Sequence, residues 1–216
     1  PSFEGKPGWH SAVAAEVAAI RSGVALIDQT SFSKFELRGH GAQAALNRIA
    51  AADVAGAPGR AIYTQLLNAR GGIEADLTIL HRGEEDFLIV TGSGFGVRDG
   101  NWISRQLPDG LVLRDVTNAH AALNICGPKA RDVLAAVTDA DLSNASFPFL
   151  AAREIVVGHA PAFAVRVGYV GELGWELYIP TDYAGHVYDT LKAAGAAHRI
   201  RDAGYRAIES CRLEKG

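Results

Sequence analysis

Phe35-Glu36-Leu37-Arg38-Gly39-His40-Gly41-Ala42 is echoed, 88 residues on, by Leu123-Asn124-Ile125-Cys126-Gly127-Pro128-Lys129-Ala130. Each reads as a strand, a glycine and the start of a helix. A second pair matches at a spacing of 89: Phe87-Leu88-Ile89-Val90 before a helix, and Glu176-Leu177-Tyr178-Ile179 before a helix over 181–194. Two matches at nearly one offset predict a duplicated unit. The expected halves are residues 1–117 and 118–216.

Around these anchors, apolar spacing predicts helices over 10–22, 41–49, 96–106 and 203–214. Strands are expected over 24–27, 33–39, 61–67, 76–81, 86–91 and 111–116. The turn Asn68-Ala69-Arg70-Gly71-Gly72 joins two of them as a hairpin. Hairpins require antiparallel pairing, so the expected class is α+β: duplicated units of antiparallel sheet plus helix, without a closing barrel.

Composition narrows the functional classes. The 216 residues are 48% hydrophobic and 21% charged, with a net charge of −3. That suits a globular chain able to bury its own core. No basic run suggests nucleic acid, and no apolar stretch reaches membrane-spanning length. Cys126 and Cys211, with no CxxC and no histidine at ligand spacing, read as buried thiols of a reducing, cytoplasmic compartment. Seven histidines are scattered at no metal spacing, so no metal site is expected. The absence of any Met, and an end at Arg212-Leu213-Glu214-Lys215-Gly216, suggest a piece of a longer protein.

Three segments could carry chemistry. Gly92-Ser93-Gly94-Phe95-Gly96 fails the dinucleotide spacing, because Val97 stands where the third glycine belongs; it reads as a strand-to-helix turn. Glu84-Glu85-Asp86 reads as a solvated turn. Ile73-Glu74-Ala75-Asp76-Leu77-Thr78 places Glu74, Asp76 and Thr78 on one strand face. A strand would hold a carboxylate rigidly, as a proton acceptor requires. The third segment, Gly168-Tyr169-Val170-Gly171-Glu172-Leu173-Gly174-Trp175-Glu176, mixes glycines, aromatics and carboxylates. It would suit a flat heteroaromatic ligand bearing N–H donors.

Taken in order, Leu26-Ile27-Asp28, Gly59-Arg60-Ala61-Ile62-Tyr63, Asn68 to Ile73, Asp76-Leu77, Gly168 to Glu176 and Cys211 to Glu214 resemble the aminomethyltransferase (T-protein) family of the glycine cleavage system. Glu74 to Thr78, Gly171 to Leu177 and Arg212 to Gly216 are more similar to the folate domains of dimethylglycine and sarcosine dehydrogenases. The resemblance implies tetrahydrofolate as cofactor, with FAD only in an upstream domain. It implies that Asp76 lies near N10 of the folate as catalytic base and that Glu176 accepts hydrogen bonds from the pterin. Tyr63 and Tyr169 would line the ligand, and Thr78 would support the strand of Asp76. A partly buried aspartate beside a weakly basic nitrogen can act as general base.

Three departures separate this chain from the glycine-cleavage branch. Ala75 precedes Asp76 where a second Asp is usual, Ser31-Phe32-Ser33 replaces Ser-His-Met, and Ala207-Ile208-Glu209 replaces Ala-Arg-Asp. They favour a flavin dehydrogenase domain in cis over a lipoyl carrier protein in trans. The carbon unit would then come from a methylated amine or its iminium, forming 5,10-methylene-tetrahydrofolate. The alternatives are a stand-alone glycine cleavage aminomethyltransferase, a folate-dependent demethylase, and, less favoured, a non-enzymatic folate-binding scaffold.

Overall fold

The computed structural model describes residues 5–215. The chain opens with α1 (His10–Ser22) and β1 (Ala25–Asp28). The first repeat follows as β2 (Ser33–Arg38), α2 (Ala42–Ile49), β3 (Arg60–Leu67), β4 (Ile73–Gly83), β5 (Asp86–Thr91), α3 (Gly96–Gln106) and β6 (Leu113–Asp115). The second is β7 (His120–Cys126), α4 (Ala130–Ala135), β8 (Ala152–Val157), β9 (Ala160–Arg166), β10 (Gly174–Pro180), α5 (Ala184–Gly195) and β11 (Arg201–Asp202), closed by α6 (Tyr205–Lys215).

The two sheets carry the same strand order. One runs β3-β4-β5-β2-β6 and the other β8-β9-β10-β7-β1-β11. Element by element, the second repeat retraces the first, with one insertion. β1, which precedes the first repeat, pairs antiparallel with β7 and parallel with β11. A strand on the 1–117 side of the sequence division is therefore part of the other half's sheet. Ala25 and Ile27 face α1 and α6 there, while Leu26 faces the opposite core.

Each sheet buries one face under its own helices. Phe35, Leu37 and Ile89 pack with Leu46 of α2 and Ile103 of α3. Leu123, Ile125 and Trp175 pack with Val133, Leu134, Val187 and Leu191 of α4 and α5. The other faces meet. Ala61, Leu80, Leu88 and Val90 of the first sheet pack against Ala122, Ala152, Val165 and Tyr178 of the second. The layering is helix, sheet, sheet, helix, and a strand with both faces covered reads as a continuous apolar run, as β5 does.

The glycine shared by the repeats has a backbone reason. Gly39 and Gly127 sit at φ +122° and +119°, a region closed to most side chains. A Cβ on Gly127 would also lie 2.6 Å from the carbonyl oxygen of Gly23.

Several expectations are corrected. β8 and β9 were not legible, because Ala152, Ala160, Ala162 and Ala164 are poor strand formers and strand alternation was masked. The helix expected from Thr181 begins as a 3-10 turn over Thr181–Tyr183. Glu85 is no idle turn residue. At φ +53° on the β4–β5 turn, its carboxylate accepts the N–H groups of Gly41 (3.1 Å) and Gln43 (2.8 Å), capping α2 from outside the helix.

The bond from Gln43 N–H is the main cause holding the Glu85 carboxyl below its ordinary range. A depressed carboxylate contributes stability above its ordinary range and loses it as pH falls through the folded-state value. Glu85→Ala is expected to cost about 1 kcal/mol in urea unfolding at neutral pH. The difference from the parent protein should shrink on acidification; a pH-independent difference would show that the cap is not electrostatic.

Candidate functional site

The inner face of the second sheet is covered by two different partners. Ala122 and Tyr178 lie under the first sheet, whereas Cys126 lies under α1 and α6. Between Ala122 and Cys126 on β7, the same face carries Asn124. Directly across from Asn124 on β10 stands Glu176. Glu176 therefore occupies the seam where the inter-sheet core ends and the α1/α6 core begins.

The first sheet brings Asp76 to the same side. On β4, Glu74, Asp76, Thr78 and Leu80 share one face by strand alternation, and Leu80 is in the inter-sheet core. The strand then runs beyond the covered region, so Asp76 is exposed at the rim rather than partly buried as expected. Its rigidity comes from a neighbour. The hydroxyl of Tyr63 on β3 donates to Asp76 Oδ2 at 2.8 Å. Tyr63 stands opposite Thr78, which is half-buried and continues the row to Val90 of β5. The hydrogen bond to Asp76 is the main cause raising the Tyr63 hydroxyl above its ordinary range, so it stays a donor at neutral pH.

Tyr169 comes from the loop between β9 and β10. Its hydroxyl is raised chiefly by burial, and it lies close enough to Asp76, Glu209 and Arg212 to respond to their charges. Arg21 fixes this loop: it donates to the carbonyl of Val170 at 2.7 Å and to Glu172 at 3.0 Å. Lys215 Nζ adds a bond to the carbonyl of Gly168 at 2.9 Å. Glu172 is thus taken up by Arg21. Trp175 points into the α4/α5 core, fully buried. Of Tyr169, Glu172, Trp175 and Glu176 in the glycine-rich segment, Glu172 and Trp175 are thus engaged elsewhere, leaving Tyr169 and Glu176 as candidates.

The three carboxylates differ in how they are satisfied. Glu74 accepts from Asn68 Nδ2 at 2.8 Å and from Arg98 at 3.2 Å; the Asn68 bond, ahead of Arg98, holds it below the ordinary range. Asp76 and Glu176 have no ion-pair partner among the described residues. Glu176 accepts instead from the hydroxyl of Tyr178 at 2.7 Å. Burial pushes its carboxyl up, and the bond from Tyr178, with the neighbouring Asn124 amide, opposes that shift.

Asn124 and Tyr178 were not singled out from sequence. The available signal was a lone amide inside the apolar strand Leu123-Asn124-Ile125. Asn124 is 5% exposed, and its Oδ1 has no hydrogen-bond partner. A buried unpaired acceptor in a native fold calls for an explanation.

The remaining motifs are structural. Gly92 to Phe95 is the turn from β5 into α3, and a Cβ on Gly96 would collide with Ser33 Oγ. A separate groove of about 790 Å³ lies between α1 and α6, lined by Trp9, Val13, Val17, Tyr205 and Arg206. None of Tyr63, Asp76, Thr78, Tyr169 and Glu176 lines it. Among the described residues no three His, Cys, Asp or Glu side chains gather as metal ligands. No helix there is long and apolar enough to cross a membrane.

The family model of the GCVT N-terminal domain matches residues 1–216. The chain belongs to this family. It is 38% identical over 229 residues to mouse (Mus musculus) mitochondrial sarcosine dehydrogenase, covering 97% of this chain and 25% of that protein. It is 36% identical over 215 residues to the regulatory subunit of mouse mitochondrial pyruvate dehydrogenase phosphatase, covering 97% of this chain and 24% of that protein. The crystal structure of the glycine cleavage system aminomethyltransferase T from Bartonella henselae superposes with a TM-score of 0.80 at 27% identity, over 94% of this chain and 54% of that one. The GCVT domain thus spans about a quarter of the length of these curated relatives. The α+β fold with two open sheets is the T-protein fold.

A raised carboxyl binds its proton more tightly in the folded state than in the unfolded one. Ionised Glu176 therefore costs stability above its folded-state value and costs nothing well below the ordinary carboxylate range. Glu176→Gln is expected to raise Tm at pH 8, with the gain vanishing by about pH 4, the ordinary Glu range. A variant that melts lower than the parent at pH 8 would contradict this electrostatic account.

Proposed function

We propose that this GCVT domain binds tetrahydrofolate in the seam and serves one-carbon transfer, with 5,10-methylene-tetrahydrofolate as the product. The observation that carries the reading is that Asp76 on the first sheet and Glu176 on the second are carboxylates with no ion-pair partner among the described residues. A carboxylate with no protein cation is free to accept N–H donors from a ligand, and such charge-assisted bonds are strong. The pterin edge offers such donors. The residues also fit the group in shape: Tyr63 and Tyr169 are 60% and 51% exposed and present aromatic rings beside Asp76.

When bound, tetrahydrofolate supplies the nucleophilic nitrogens that take up the carbon unit. The chain's own residues hold and deprotonate. Glu176 fixes the pterin edge. Asp76 accepts the proton released from the N10 position through its carboxylate. Tyr63 keeps that carboxylate in one rotamer, and Thr78 supports the strand beneath it. Orientation of the reactants is the protein's largest contribution, because it replaces a bimolecular encounter.

Likeness to sarcosine dehydrogenase supports a methylated amine, or its iminium, as carbon source and a flavin dehydrogenase domain in cis as partner. Likeness to aminomethyltransferase T keeps a lipoyl carrier protein in trans as the other partner, but Ala75 and Ile208 weigh against it. Likeness to a phosphatase regulatory subunit supports a second reading, in which the same seam binds ligand without turnover.

Calorimetric titration with tetrahydrofolate and a turnover assay in the full-length protein separate these readings. Parent protein should bind with micromolar or tighter Kd. Asp76→Asn should keep that Kd within a few-fold and lose about 100-fold or more in kcat. Glu176→Gln should weaken binding by roughly 10-fold or more. Normal turnover by Asp76→Asn would remove Asp76 from its role. Tight binding with no turnover by the parent would select the regulatory reading.

A further inference from the structure

We propose that Asn124 and Tyr178 are positioning residues that hold Glu176 ionised, so that the seam accepts ligands presenting N–H donors and refuses ligands presenting acceptors. The identity of the ligand rests on the reading above, whereas the cradle around Glu176 rests on geometry alone.

Tyr178 stands two residues along β10 from Glu176, so both side chains leave the same face, and its hydroxyl donates to Glu176 Oε2 at 2.7 Å. Asn124 is the direct cross-strand partner of Glu176 on β7, which places its amide beside the carboxylate. β9 contributes Val165 to the same row, which can neither donate nor repel. No Lys, Arg or His forms an ion pair with Glu176 among the described residues. One neutral hydroxyl donor, with a neutral amide on the neighbouring strand, is thus what stabilises its charge.

Burial alone would keep a carboxyl protonated and able to donate. The hydrogen bond from Tyr178 to the charged form opposes that, and occupies one side of the group. The lone pairs left over can only accept. Tyr178 is 3% exposed and sits in the inter-sheet core, so its hydroxyl cannot swing away to water. Its own proton is held firmly, because burial and the neighbouring Glu176 both raise the hydroxyl well above its ordinary range. Beside Glu176, on β7, the buried Oδ1 of Asn124 has no hydrogen-bond partner. An acceptor-only Glu176 beside an unsatisfied amide oxygen discriminates by the cost of leaving buried polar groups unpaired.

The test follows the ionisation of Glu176 directly. In ligand-free, carbon-13-labelled protein, the side-chain carboxyl carbon of Glu176, assigned by its loss in Glu176→Gln, is titrated by NMR. Tyr178→Phe removes the hydroxyl donor and Asn124→Leu the neighbouring amide, each at nearly constant volume. Each should move the midpoint upward, by about one pH unit, which is a tenfold change in the protonation equilibrium. A midpoint unmoved or lowered in either folded variant overturns the proposal, and Tyr178→Phe suffices if Asn124→Leu does not fold. A second arm measures tetrahydrofolate Kd against pH. The acid limb of binding should shift upward with the midpoint. Loss by one constant factor at every pH would mean that the donors only shape the strand, and would also overturn it. Failure of the parent protein to bind tetrahydrofolate, with the NMR midpoints shifted as expected, would leave the cradle standing and remove the proposed ligand.

Discussion

Face-to-face packing of the two sheets is the constraint on which the rest depends. Ala61, Ala122 and Ala152 keep the facing surfaces low, and Leu80, Leu88, Val90, Val165 and Tyr178 fill the space between. Burial of this apolar area is non-directional, but a strand's alternation makes it selective. Once Leu80 and Tyr178 are committed to the interface, Asp76 and Glu176 have no choice of face. A one-residue slip in either strand would send each acid toward its own sheet's helices.

The interface is also incomplete, and its edge is where polar chemistry can exist. α1 and α6 take over from the first sheet along β7, and the change of cover leaves Asn124 and Glu176 between two apolar clusters. Arg21 ties α1, α6 and the Tyr169 loop together through bonds to Cys211, Val170, Glu172 and Glu214. One guanidinium with four acceptors suits this hub, because its planar fork serves several partners at once. The aromatic beside Asp76 is therefore held by contacts remote from the acids themselves.

Membership in the GCVT N-terminal domain family covers enzymes and a regulatory subunit alike. The fold does not choose between them, because function resides in the site it carries. In this chain Asp76 and Glu176, the acids proposed to bind ligand, have no ion-pair partner among the described residues. Glu74, one turn of the strand pattern from Asp76, shows the contrast: Asn68 and Arg98 already satisfy it.

The order of residues by itself determined the duplication, the α+β class and the family resemblance. Glycines at 39 and 127 recur because each repeat needs a left-handed backbone before its helix, and that requirement is local. Alternation likewise placed Glu74, Asp76 and Thr78 on one face without reference to any partner. Tertiary structure alone decided the rest. β1 joined the other repeat's sheet, Glu85 became a helix cap, and Trp175 and Glu172 turned from the seam to the core and to Arg21. Asn124 gained its place beside Glu176 only through strand pairing. Each of these depends on residues far apart in sequence meeting in space, which local periodicity does not encode.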